Sequence, residues 1–157
     1  MNREAQYPVR YAQIKIFTAS SGAQQVSIYN AFFGPDPERI FIALVKNTAF
    51  VCSASTNLFH FHHYDMTNLV LYVNGVQLTM DCGSPVWATK TYETLFSSTD
   101  IHDDCSHVIT LEIFTKRFYE LHFDLTPDRE ANEEHISLTR QGNVRIEARF
   151  KKPLPVP

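Results

Sequence analysis

Asn74-Gly75 sits between two β-rich runs, Asn68-Leu69-Val70-Leu71-Tyr72-Val73 and Val76-Gln77-Leu78. A type I′ turn needs positive φ at both central residues, so Asn-Gly in this setting predicts a two-residue β-hairpin. Leu69, Leu71 and Val73 fall on one face of the first strand, Val70 and Tyr72 on the other. Apolar residues on both faces predict a strand covered on two sides, with the other strands laid around this hairpin.

The rest of the chain reads mostly as strands. Residues 11–17 alternate, with Ile14 and Ile16 apart from Gln13 and Lys15, which predicts a half-buried strand. Residues 25–33 predict a second, ended by Gly34-Pro35-Asp36-Pro37 because prolines do not sit in a sheet interior. Residues 39–45 are almost continuously apolar and predict a central strand buried on both faces. Residues 47–57 predict a loop. Residues 58–64 predict a short strand with Phe59 and Phe61 facing in and His60 and His62 facing out. Tyr92, Leu95 and Phe96 have helical spacing, which predicts one short helix over 89–97. A polar loop at 98–106 precedes an expected hairpin of strands 107–114 and 118–125 across Thr115-Lys116-Arg117. Residues 143–150 alternate cleanly and predict a one-sided strand. The expectation is one domain over 1–157, an all-β, antiparallel, jelly-roll-like β-sandwich with one short helix. Residues 1–10 read as a loose N-terminal arm and 151–157 as a proline-rich tail.

Composition narrows the function. A length of 157 residues suits one domain with a real core. A formal charge of −3, from 14 basic and 17 acidic residues, argues against a nucleic-acid surface. The three cysteines, Cys52, Cys82 and Cys105, form no Cys-x-x-Cys pair, which fits reduced thiols in an intracellular setting. Residues 1–10 hold no apolar leader core, and no apolar run approaches the roughly 20 residues of a membrane span.

Candidate chemistry is sparse. His60 and His62 alternate on a strand and offer two nitrogens to a metal, with His102 and His107 as further candidates. Two nitrogens fall short of a normal ligand set, and a polar strand face is the better explanation of the pair, so the expectation is no metal. None of the cysteines stands in a nucleophile motif, and no glycine-rich phosphate loop occurs. Asp124 and Asp128 bracket Thr126-Pro127 and read as a strand-ending turn. The expectation is no catalytic residue and no cofactor.

Several segments together resemble one family. They are Asn30-Ala31-Phe32-Phe33-Gly34, Pro37-Glu38-Arg39-Ile40, Val45-Lys46-Asn47-Thr48-Ala49-Phe50 and Leu71-Tyr72-Val73-Asn74-Gly75-Val76-Gln77. Tyr92-Glu93-Thr94-Leu95-Phe96-Ser97, Phe123-Asp124-Leu125-Thr126-Pro127-Asp128 and Gly142-Asn143-Val144-Arg145-Ile146-Glu147-Ala148-Arg149-Phe150 follow in the same order. In this the chain resembles the major capsid proteins of Maverick/Polinton transposons and adintovirus-like elements, in their C-terminal jelly-roll part. The departures are Asn74 where the family has Asp, a loop before Phe61 poorer in Asn and Gly, and the run His60-Phe61-His62-His63.

The resemblance implies a structural subunit that assembles as trimers with itself and with other capsid proteins, in a host cell or a virion. The alternatives are a jelly-roll module binding a small ligand or glycan, and a cupin-type metal enzyme using His60 and His62. The family continues past Phe150 into a strand that pairs there, whereas here three prolines follow. The expectation is therefore an open, self-associating edge along Val144, Ile146, Ala148 and Phe150.

Overall fold

The hairpin forms as its sequence requires. Asn74 and Gly75 stand at φ 52° and 84°, both left-handed, and the flanking strands pair without interruption from Val73–Val76 to Asn68–Asp81. The computed structural model describes residues 12–51, 56–97, 109–126 and 141–155. Its elements are β1 (Gln25–Pro35), β2 (Arg39–Ala43), α1 (Asn47–Phe50), β3 (Met66–Val73), β4 (Val76–Asp81), α2 (Pro85–Ser97), α3 (Leu111–Arg117), β5 (Glu120–Asp124) and β6 (Gln141–Phe150).

The strands form an antiparallel sandwich of two sheets, ordered β1-β6-β3-β4 and β2-β5. The pairing is nested: first strand with last, second with fifth, third with fourth. β6 also meets β3, so the chain is one long hairpin rolled onto itself, which is the path of a jelly roll. A full jelly roll has eight strands. Its innermost pair would lie between β3 and β4, where Asn74-Gly75 closes the roll directly. Among the described residues the smaller sheet has two strands, and α2 packs against β5.

The core lies between the sheets. Leu69, Leu71, Val144, Ile146 and Phe150 face Ile40, Leu121 and Phe123, all buried. On the outer face of the larger sheet the Arg145 guanidinium lies 4.3 Å from the Tyr29 ring centre and 5.3 Å from that of Tyr72. One end of the roll is locked by polar groups. The Asn74 side-chain amide donates to Asp36 (2.7 Å) and its oxygen accepts from the Asn143 backbone N–H (3.0 Å). A Cβ on Gly142 would collide with both Asp36 and Asn74.

Several expectations need correction. The strand at residues 143–150 has the predicted inner face, but β6 is central, with β1 on one side and β3 on the other. The backbone along Val144, Ile146, Ala148 and Phe150 is therefore paired, and no edge is open there. The tail folds back instead: Leu154 exchanges backbone hydrogen bonds with Gly22 and Ala23 (2.9 and 3.0 Å). Residues 39–45 are not central. Among the described residues β2 has only β5 as ladder partner, and Phe41 is 45% exposed. Residues 58–64 hold turns and two isolated bridges at Phe61, to Val45 and Phe118, because Tyr64 and Asp65 take positive φ and Phe59 turns outward. Residues 47–57 include the turn of α1. The expected hairpin at 107–125 is a helix followed by a strand. Thr110 caps Ile113, Glu112 pairs with Lys116 four residues on, and Phe114 is buried, so local capping overrides the β-branched run before it. β5 then pairs with β2. Residues 12–19 form no strand within the chain.

Candidate interaction surfaces

The histidines come together without forming a ligand set. The His60 and His62 rings stack at 4.3 Å between centroids. His60 Nε2 lies 3.1 Å from the Lys116 carbonyl, and His63 Nε2 lies 3.0 Å from that of Cys82. Burial, then His60 and Lys46, holds His62 below its ordinary range. Among the described residues no three His, Cys, Asp or Glu gather at metal-binding distance. His102 and His107 lie outside the described residues, as do Cys52, Cys105 and Asp128.

Cys82 is buried, and desolvation, with Asp81 adding to it, pushes its thiol up to about 12. Such a thiol stays protonated at neutral pH and is a poor nucleophile. Asp124 accepts from the backbone N–H and hydroxyl of Thr126 (2.9 and 2.6 Å), the strand-ending turn its sequence predicts.

The outer face of the smaller sheet carries a groove that sequence reading misses. It has a volume of about 400 Å³, with Phe41, Phe61, Phe96, Phe114, Phe118 and Glu120 among its walls. Phe41 stacks on His122 at 4.7 Å from the neighbouring strand. Burial raises the Glu120 carboxyl above its usual range. The groove exists because α3 is a helix, so reading that segment as a strand hid it.

Among the described residues, two of the surfaces without a ladder partner stand out. Residues 12–17, Ala-Gln-Ile-Lys-Ile-Phe, run along the molecule without a backbone ladder among the described residues. Ile14 is 86% and Ile16 62% exposed, while the Lys15 ammonium lies 5.4 Å from the Phe32 ring centre. The alternation that predicts a half-buried strand is thus present, but the chain's own sheets do not use it. β4 is the other surface. It ends the larger sheet, and Val-Gln-Leu-Thr-Met-Asp carries no proline or lysine and pairs with β3 without a bulge. β1, at the opposite edge, has a register break between Ile28 and Phe32 and ends at Pro35.

No helix among the described residues is long and apolar enough to cross a membrane. No protein-family model matches the chain. No solved structure matches it. An uncharacterized protein of Caenorhabditis elegans is 26% identical over 158 residues, covering 96% of this chain and 37% of its own length. The chain is thus similar to one segment of a longer nematode protein, and spans little more than a third of it.

Proposed function

We propose that this chain is a structural, capsid-type module that works by assembling with copies of itself and with related shell proteins. The observation that carries the reading is the nested strand pairing, β1 with β6, β2 with β5 and β3 with β4, closed by the same Asn74-Gly75 turn that lies in the capsid-like segments. Ile14, Tyr29, Phe33 and Val76 are exposed apolar side chains that a neighbouring copy would cover. The match to part of a longer nematode protein fits a module within a larger subunit. The reading brings with it a trimeric unit and a place in the host cell or a virion. Electron microscopy of concentrated protein tests it. Trimers, arrays or closed shells are expected; dispersed single domains under all conditions would overturn it.

The aromatic groove favours a second reading, a binding module for a small apolar ligand carrying an amine that meets Glu120. Calorimetric titration with aromatic amines separates the two readings, because shell assembly requires no heat of binding there.

A further inference from the structure

The segment 12–17 and the strand β4 have complementary deficits. The first is a stretch with no assigned helix or ladder; the second is a sheet edge with no outer neighbour among the described residues. Each is six residues long. Ladder hydrogen bonds alternate in an antiparallel pair. The two-residue turn makes Val73–Val76, Leu71–Leu78 and Leu69–Met80 the bonded pairs, so the backbones of Gln77, Thr79 and Asp81 point outward.

The side chains match in the same way. Leu78 and Met80 turn toward the core, while Gln77, Thr79 and Asp81 are exposed. A strand laid along β4 with Ile14 and Ile16 beside Leu78 and Met80 would extend the apolar face. It would also put Lys15 and Gln13 on the face of Asp81 and Gln77. Apolar meets apolar, and Lys15, opposite Thr79, lies diagonal to Asp81 on the polar face. Sheet edges are usually blunted by lysine, proline or a bulge, and β4 has none of these. Within the chain, Lys15 instead stands over Phe32 on β1, at the far edge of the same sheet. The natural donor for β4 is therefore a second copy.

We infer that residues 12–17 of one copy add as a strand to the β4 edge of another. This rests on the assembly reading and names its contact. It is β-strand addition: main-chain hydrogen bonds give the affinity, and alternate side chains set register. The contact is heterologous, so repetition produces a ring if the rotation closes and a chain if it does not.

Complementation between two variants tests it. Ile14→Glu with Ile16→Glu spoils the donor strand and leaves β4 intact. Thr79→Pro removes an outward N–H and leaves the donor intact. Each variant alone is expected to weaken association by about a hundredfold and to run at the 18.1 kDa of one chain. An equimolar mixture should recover a two-chain species, since each supplies the half the other lacks. Concentration-dependent amide protection at residues 13–16, 77 and 79 of the unaltered protein gives the same answer should Thr79→Pro fail to fold. Variants that associate like the parent, with no such protection, would overturn the inference and leave the assembly reading standing. A parent chain that never associates would remove both.

Discussion

At the scale of single residues the fold depends on a few backbone positions. Gly75 has φ 84°, so Gly75→Val should destabilise the domain by about 1–3 kcal/mol, seen as a lower melting temperature. Gly142→Ala should cost a similar amount, because the added methyl must displace the hydrogen-bonded Asp36 and Asn74 side chains. Asn74 is a position where amide and carboxylate differ in effect. Its amide donates to Asp36, whereas an Asp would set two carboxylates together. Asn74→Asp should destabilise, and Asp36→Asn in the same chain should return most of the loss; a double-mutant cycle by urea denaturation measures that coupling. The turn itself was legible in the sequence, since Asn-Gly leaves few alternatives. Its partner Asp36, some forty residues away in the chain, was not, because only the tertiary fold joins them. His62 and His122 give a pH effect of definite sign. Burial is the leading cause in both and holds each below its ordinary 6.5. The unfolded chain therefore takes up protons first, and stability should be level from about pH 8 to about pH 6.5 and fall as pH drops below that. Glu120 works against this nearer its ordinary 4.5, because its raised value favours the folded state as it protonates. Denaturant midpoints from pH 8 to 5 check the slope, which should shrink in His122→Gln.

At the scale of elements, the sequence hides α1 and α3 and suggests strands near 12–17, 58–64 and 109–114 that do not form among the described residues. The spacing of Tyr92, Leu95 and Phe96 located α2, although the helix begins earlier, at Pro85, a residue well suited to a first turn. α3 was hidden because Val108-Ile109-Thr110 favours a strand, while the Thr110 cap acts only through geometry. Thr110→Ala should cost about 1 kcal/mol and loosen the groove wall at Phe114, as read by thermal melting. β2 shows the limit of an apolar run. Its residues are as apolar as those of a central strand, yet Phe41 faces the groove and is 45% exposed, whereas Phe114 is fully buried. Phe114→Ala should cost about 3–5 kcal/mol and Phe41→Ala clearly less, which equilibrium unfolding resolves. Residues 12–17 teach the converse. Their alternation is a sound strand signal, but hydrophobic period states that a strand has a buried side and not which chain provides the cover.

At the scale of the whole molecule, a long hairpin is rolled into a sandwich and closed early by its tightest turn. The rolled pairing accounts for the central place of β6, which meets both the first strand and the third. It also accounts for the expected open edge lying elsewhere: nesting fills both sides of β6 and leaves β4 outermost. No local signal in residues 143–150 distinguishes a central from a terminal strand when one face is polar, and here that face is covered by the stacked Tyr29, Arg145 and Tyr72. The proposed assembly is tested by sedimentation equilibrium across a concentration series. Assembly predicts a mass above 18.1 kDa that falls on dilution, with association weakened in the Ile14→Glu/Ile16→Glu variant. A constant mass of one chain up to millimolar concentration would contradict it.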